Sequence, residues 1–482
     1  MRTKATAKIK RTGDFVQVVD AFVFFNELDI LEIRLAELYD VVDLFILVEA
    51  THTHKGDPKP LYYAESRQRF ARYFDKIRHI VVGDLPRGAG LPAIWRREMT
   101  QRQRIADGLH DVPDDAIVLI SDLDEIPRRE AVALLRRQGI PDGMVVTFEQ
   151  RLHYYNVNTH CISLIWTGTR AARCIDVKAI TPDGVRWAGL YSAGAGRTMG
   201  ARSTEYPLFG KLEHAGWHLS YFGDVAHIQD KMGAFLHQEL VNEETTDTNT
   251  IAGHIARGED VWGRPDGPKF ALGPAPDLPA AIRADPVRWS RYFHPDWRPI
   301  FNQDWYDPEQ ARYVGEMARA APQGGELVEI GCWEGRSTAV IAPAVAPRAL
   351  HCVDHWRGNE DEGDAESVGL AQERDVFGTF ERNMSLLTLG NIEVWRGSWQ
   401  EWVKVWDKPI AFLHLDASHD YDSVYNCLQA VKPLLVPGAL LCGDDGYADG
   451  VYRAVRDVFG EGKVRDIGNR LWVTRWEGAR DG

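Results

Sequence analysis

Two acidic residues, Asp122 and Asp124, follow directly on the apolar run Ile117-Val118-Leu119-Ile120-Ser121, with Glu125, Ile126 and Pro127 next. An apolar run this short reads as a buried strand, and ligands of open α/β sheets gather beyond the carboxyl ends of such strands. Carboxylates one residue apart can both face a hard divalent cation there. Mg²⁺ or Mn²⁺ held by one or two carboxylates completes its shell with water and a substrate's phosphates, so the chemistry on offer is a metal–diphosphate site. The competing reading is a helix N-cap, in which acidic side chains ahead of Pro127 satisfy the free N–H groups of a helix. The polar strand ends Asn26-Glu27 and Glu49-Ala50-Thr51 favour the metal site, because alternating strands and helices would bring all three to one sheet edge.

A second set lies far downstream. The segment Glu329-Ile330-Gly331-Cys332-Trp333-Glu334-Gly335 ends another short apolar strand and opens a helix. Such a glycine-rich turn lets backbone pass close to a bound nucleoside cofactor. Asp354, ending the next strand, is spaced to accept hydrogen bonds from both ribose hydroxyls. The spacing suits either a dinucleotide fold or a methyltransferase.

The elements that must position these residues are legible as periodicity. Strands are expected at 18–25, 42–48, 79–82 and 117–121, and helices at 30–39, 65–74 and 95–109, with Glu32, Arg34 and Glu37 on the solvent face of the first helix. Strand and helix alternate, which predicts α/β architecture with a mostly parallel sheet covered on both faces. From 143 to 187 the pattern changes to short aromatic-rich strands (Leu152-His153-Tyr154-Tyr155), whose rings offer either sugar-stacking faces or ordinary core. A Pro/Gly-rich stretch from 263 to 304 closes this half. A new alternation starts with a helix at 308–320, a strand at 326–330 and a strand at 349–353. The acidic, glycine-punctuated segment 358–364 reads as a surface loop, with a lid over the cofactor as the sharper alternative.

Composition narrows the function classes. A chain of 482 residues is too long for one ordinary core. The net charge of −14, with no basic stripe, argues against nucleic acid as a partner. Six scattered cysteines without a C-x-x-C pair read as reduced, mostly buried thiols. No long apolar span is visible, so no transmembrane segment is expected and the expected location is cytoplasmic. A homo-oligomer stays open.

The first half carries a resemblance. Asp20-Ala21-Phe22 through Asn26-Glu27-Leu28-Asp29 to Leu35, Val48-Glu49-Ala50-Thr51-His52-Thr53, Lys76-Ile77-Arg78-His79, Leu119 to Pro127 and Gly216-Trp217-His218 together resemble glycosyltransferase family 17 over residues 16–297. The resemblance implies a GT-A-like nucleotide-sugar fold and an inverting transfer from a UDP-sugar donor, UDP-N-acetylglucosamine foremost. It also implies Mn²⁺ or Mg²⁺ at Asp122 and Asp124, donor contacts from Asn26, Glu27 and Glu49, and a glycan or glycoconjugate acceptor. The family's animal member is membrane-anchored, and no anchor is visible here, so a bacterial cell-surface or secondary-metabolite glycan is as eligible an acceptor as an N-glycan. An inverting displacement needs a base for the acceptor hydroxyl. Glu213 or Asp224, flanking the cluster 214–223, could serve, and His214 or His218 could complete the metal shell.

The second half, over residues 305–476, is similar to class I S-adenosylmethionine-dependent methyltransferases through Ile410 to Tyr421 and Val436 to Asp445. The nearest group is the metal-dependent sugar O-methyltransferases. The resemblance implies a Rossmann-like domain that binds S-adenosyl-L-methionine through Glu329, Gly331, Cys332, Trp333, Gly335, Ser337, Asp354, His355, Trp356 and Ser398. It implies a metal at Asp416, Asp444 and Asp445, with His419 or Asp416 as the base; the plainer alternative makes Asp444-Asp445-Gly446 a turn after a strand. The expected organisation is therefore a glycosyltransferase domain at 16–297, a connector at 298–306 and a methyltransferase domain at 307–476. Together they would form a bifunctional enzyme that transfers a sugar and methylates a glycan hydroxyl. Two rivals stay open: one half has lost catalysis and only binds glycan or nucleotide, or the second half performs another reaction such as hydroxylation.

Overall fold

Strand and helix alternate from the first described residues. The computed structural model describes residues 16–188, 208–234, 240–303, 305–359, 365–446, 448–468 and 470–478. Two units emerge: the residues up to Gly273 with Arg291–His294, and Pro274–Ser290 with Pro295 onward.

In the first unit, β1 (Val18–Phe24), β2 (Leu44–Ala50), β3 (Ile77–Val82) and β4 (Ile117–Asp122) lie in the order β4-β1-β2-β3, all parallel. Their apolar residues are buried because helices cover the sheet; Ile117 to Ile120 have no exposed surface. Next come β5 (Glu125–Pro127), β6 (Met144–Tyr154), β7 (Thr159–Cys161), β8 (Arg170–Arg173), β9 (Leu208–Ser220) and β10 (Phe270–Leu272). The sheet continues past β4 as β8-β6-β7-β10, while β9 pairs with β5 and β6. The expectation of a mostly parallel sheet therefore holds for β1–β4 and for the pairing of β9 with β6, and the sheet as a whole is mixed. Beyond them β8 runs antiparallel to β4 and β6, and β7 antiparallel to β6 and β10. Tyr154 and Tyr155 pack with Tyr221, Trp262 and Phe270 into a small core of their own, so Tyr154 and Tyr155 are structural, while Tyr221 reaches a cavity wall.

Two local expectations are overturned. Pro127 opens no helix: Glu125–Pro127 pairs antiparallel with β9, and the helix begins at Arg129. Asp122 and Asp124 therefore cap nothing, and the N-cap reading falls. Arg34 and Glu37 are not on a solvent face. Both are buried in the helix Leu28–Leu38, Arg34 completely.

Arg34 forms a fork with Asp20 of β1, Nε to Oδ2 at 2.8 Å and Nη2 to Oδ1 at 2.6 Å. It also donates to the Ser121 hydroxyl, and its Nη1 donates to the carbonyls of Asp122, Leu123 and Glu125, each at 3.0 Å. A planar guanidinium thus ties β1 to the turn that carries the acidic pair. The same turn tolerates no bulk: a Cβ on Gly168 would lie 1.9 Å from Glu125 Oε1.

The second unit is built on β11 (Glu326–Ile330), β12 (Leu350–Asp354), β13 (Ile392–Arg396), β14 (Ile410–Leu415), β15 (Leu435–Gly443), β16 (Arg465–Ile467) and β17 (Leu471–Arg475). Their order is β13-β12-β11-β14-β15-β17-β16, with β17 antiparallel to both neighbours and the first five strands parallel. The switch of direction between β12 and β14 on either side of β11 creates a crevice at the carboxyl edge. Gly331 is required there: at φ +88° its missing Cβ would stand 1.9 Å from the Asp416 carbonyl oxygen. Of the acidic segment 358–364, residues 360–364 lie outside the described residues.

Replacing Arg34 by methionine is expected to lower the unfolding free energy of the first unit by about 3–5 kcal/mol, since Asp20 would stay buried without its partner. Arg34→Lys should recover only part of this, because one ammonium cannot serve acceptors arranged around a plane. Urea unfolding of the full chain, followed by tryptophan fluorescence, reads the effect; an unmoved first transition would remove Arg34 from this role.

Candidate active sites

At the carboxyl edge of β1 and β4 the first unit holds a cavity of about 210 Å³, lined by Glu27, Glu98, Asp122, Asp124, Glu125, His218 and Lys231 among others. Each carboxylate has a fixed partner. Asp124 Oδ2 accepts from Lys231 at 2.7 Å, and Oδ1 faces His218 Nε2 at 3.4 Å. Lys231 also meets Glu27 at 2.9 Å. Asp122 is held by Arg102 at 3.2 Å and Arg186 at 2.9 Å. Arg102 further binds Glu98 and Asp183, and Arg186 forms a fork with Glu125.

Burial alone would raise the Asp124 carboxyl, yet Lys231 and then His218 hold it well below the usual carboxylate range. Arg186 and then Arg102 lower the Asp122 carboxyl too, against the effect of burial. Both are anions. Six carboxylates (Glu27, Glu98, Asp122, Asp124, Glu125, Asp183) share three ion-paired cations, Arg102, Arg186 and Lys231. Arg170, behind Glu125, adds a fourth positive charge spent on backbone carbonyls. Acid remains in excess, which would draw a divalent cation toward Asp122 and Asp124, and such an ion would have to displace part of their pairing with Arg102, Arg186, Lys231 and His218. His218 turns Nε2 toward Asp124, and its Nδ1 is buried without a hydrogen-bond partner.

Other residues expected here sit elsewhere. Glu49 is buried behind the cavity, bonded to the Tyr63 N–H, Lys59 and His79. Asn26 is outside the lining, as is exposed Glu213. Asp224 is also outside it and caps the helix Val225–Ala234 through the His227 N–H. Arg102, Arg186, Lys231 and Trp166 were not foreseen. Only Glu98–Arg102, four apart on one helix, left a sequence signal.

The second unit encloses about 410 Å³ at the carboxyl edge of β11, β12 and β14. Gly331, Cys332, Trp333, Ser337, Asp354, His355, Ser398, Asp416, His419, Asp444 and Asp445 all line it, as expected. Glu329, Gly335 and Trp356 do not. Glu329 is fully buried, its oxygens taken by the Ser337 and Thr338 hydroxyls and by His414 Nδ1 at 3.1 Å. It braces the glycine-rich turn from behind. Asp354 accepts from the N–H groups of Cys332 (2.8 Å), Trp333 (2.9 Å) and Trp356 (2.6 Å), fixing the same turn.

Opposite, single donor atoms of Asp416, His419 and Asp445 lie within 4.8 Å of one another. His419 Nε2 is 2.7 Å from Asp445, and Arg470 stands 3.4 Å from Asp444 and 3.6 Å from Asp445. Burial and then Asp416 push the Asp444 carboxyl up to about 7; burial likewise raises Asp416. Asp444 Oδ1 is buried without a partner. Clustered carboxylates raised by burial and then by one another, with an orphaned oxygen, fit a divalent cation. His419 thereby becomes a candidate ligand as well as a candidate base. Tyr306 and Arg470 also line the cavity; neither carried a motif in the sequence.

Comparison with known proteins bears out the resemblance in both halves. Residues 6–168 match the model for glycosyltransferase family 17, and residues 328–446 match a methyltransferase domain. A β-1,4-mannosyl-glycoprotein 4-β-N-acetylglucosaminyltransferase from Rattus norvegicus is 30% identical over 125 residues, which is 25% of this chain and 23% of the relative. The Homo sapiens protein of that name is 30% identical over 125 residues, 25% of this chain and 24% of its own. The chain thus aligns with under a quarter of the length of these relatives. Among solved structures, the O-methyltransferase NovP is 16% identical with a TM-score of 0.28, covering 41% of this chain and 88% of its own. CalS11, a TDP-rhamnose 3'-O-methyltransferase, is 18% identical with a TM-score of 0.25, covering 35% and 78%. Among the described residues no helix is long and apolar enough to cross a membrane.

If Glu329 braces the turn, Glu329→Gln should lower the thermal stability of the second unit while weakening S-adenosylmethionine binding less than tenfold, about 1.4 kcal/mol at most. Calorimetric titration and a melting curve separate the cases. A far larger affinity loss at unchanged stability would make Glu329 a direct ligand.

Proposed function

We propose that this chain, with a glycosyltransferase family 17 region in its first unit and a methyltransferase domain in its second, transfers a sugar from a UDP donor with inversion and methylates a hydroxyl of the same class of glycan from S-adenosylmethionine. What carries the reading is that each unit gathers a carboxylate cluster into a cavity at the carboxyl edge of its own sheet.

In the first unit Asp122 and Asp124 would hold Mn²⁺ or Mg²⁺, which supplies charge to the leaving diphosphate. Arg34 holds the turn that bears them, and Lys231 keeps Asp124 ionised. The base is assigned to a carboxylate lining the cavity in preference to Glu213 or Asp224. Glu27 is the first choice, since its ion-pair partner is Lys231 and not a guanidinium fork.

In the second unit S-adenosylmethionine, when bound, supplies an electrophilic methyl group. Glu329 and Asp354 hold the glycine-rich turn against which it would lie. Asp416, Asp444 and Asp445 would hold a divalent cation that acidifies the acceptor hydroxyl. His419, 2.7 Å from Asp445, or Asp416 takes that hydroxyl's proton.

Incubation with a panel of UDP-sugars and S-adenosylmethionine, with mass detection of transferred or hydrolysed products, tests both activities. Asp124→Asn is expected to lower glycosyl transfer at least a hundredfold, about 2.7 kcal/mol or more, and to leave methyl transfer intact. Wild-type sugar transfer by that variant would refute the metal assignment.

Asp445 has φ +54°, a conformation Asn also tolerates, so Asp445→Asn should preserve the backbone. It should keep S-adenosylmethionine affinity and lose methyl transfer. EDTA should mimic this on the wild type and Mg²⁺ should reverse it; full methyl transfer in EDTA would leave His419 as a metal-free base.

A further inference from the structure

The loop that follows β7 exposes three large aliphatic side chains in four residues: Ile162 is 65% exposed, Leu164 39% and Ile165 58%. The pairings His153↔His160 and Gln150↔Trp166 bracket this loop. Arg151, exposed, therefore lies across from it on β6. On the other side the Ile162 N–H donates to the Lys269 carbonyl at 2.8 Å, so exposed Lys269 flanks it as well. Among the described residues neither cation has an acidic partner, in contrast to nearby Lys211, which meets Glu149, and Arg264, which meets Asp260. Aliphatics between two uncompensated cations stand out on a chain of net charge −14.

The loop also leads into the first cavity, which Trp166 lines. It ends at Trp166, whose Nε1 donates to Glu125 at 2.6 Å and whose ring lies 4.5 Å from that of His218.

We propose that this loop docks the first unit on an anionic lipid surface, Ile162 and Ile165 entering the interface while Arg151 and Lys269 meet the headgroups. Aliphatic tips ringed by cations are what such a surface selects, and the contact is peripheral, weak and salt-sensitive. Taken with the glycosyltransferase reading, on which this clause rests, it makes the sugar acceptor a lipid-linked one presented beside Trp166.

Flotation of the full chain with vesicles tests the docking without any sugar transfer, so its outcome is independent of the glycosyltransferase reading. Phosphatidylcholine vesicles are compared with vesicles that also contain phosphatidylglycerol, at low and raised salt. The wild type should float with the anionic vesicles, several-fold less at raised salt, and hardly with the neutral ones. Ile162→Ser combined with Ile165→Ser should cut recovery about tenfold, and Arg151→Gln with Lys269→Gln should remove its salt dependence. Because all four side chains are exposed, melting curves should not move. Recovery of the isoleucine variant equal to wild type, or no recovery of the wild type with anionic vesicles, overturns the proposal. So does a wild-type dimer in sedimentation that the isoleucine variant abolishes, which would assign the loop to a second copy.

Discussion

The first unit depends on one buried cation. Arg34 has no exposed surface, and its N–H groups are directed at β1, at the end of β4 and at the turn beyond it: the Asp20 carboxylate, the Ser121 hydroxyl and the carbonyls of Asp122, Leu123 and Glu125. A turn that leaves a buried strand exposes carbonyls that no ladder satisfies, and leaving them bare would cost several hydrogen bonds. The guanidinium meets that need and counters the negative end of the turn. It lets Asp122 and Asp124 stand side by side where sheet, helix and cavity meet.

Around that anchor the charges are arranged in layers. Arg102 and Arg186 hold Asp122 and Glu125, and Lys231 spans Asp124 and Glu27. These cations keep the acids ionised in a place where burial works against ionisation. The second unit solves a similar problem with less compensation. Arg470 approaches Asp444 and Asp445 only at the limit of an ion pair, and burial, with Asp416 beside it, raises the Asp444 carboxyl. In the first unit guanidinium and ammonium groups do much of the neutralising, and in the second His419 and Arg470 stand beside the carboxylates.

Both cavities sit where parallel strands end, and in each a buried residue outside the lining holds the backbone, Arg34 in the first and Glu329 in the second. Glu329 and Asp354 spend their oxygens on the glycine-rich turn, as Arg34 spends its protons on the acidic turn. Preorganisation of this kind is what allows modest side chains to act on a substrate placed within hydrogen-bond reach.

Periodicity and short motifs were enough to read β1 to β4, β11 and β12, the restart of α/β alternation near residue 307, the acidic pair at 122 and 124 and the glycine-rich turn at 331–335, and the resemblance pointed to the carboxylates at 416, 444 and 445. These are local: a strand end, a turn or a capping position leaves its mark within a few neighbouring residues. What the sequence could not disclose is which polar side chains turn inward. Arg34 and Glu37 have the helical spacing of a solvent face, yet a buried acid from β1 and a turn some ninety residues later (about 88 to 91 by the hydrogen bonds that join them) draw Arg34 into the core. Lys231, Arg186 and Tyr306 carry no motif because their partners are distant in the chain. Glu329 and Glu49 read as ligands because an acid at a strand end looks the same whether it faces a cavity or a neighbouring hydroxyl. Only tertiary structure decides between those, since the choice depends on which groups the folded sheet brings within hydrogen-bond distance.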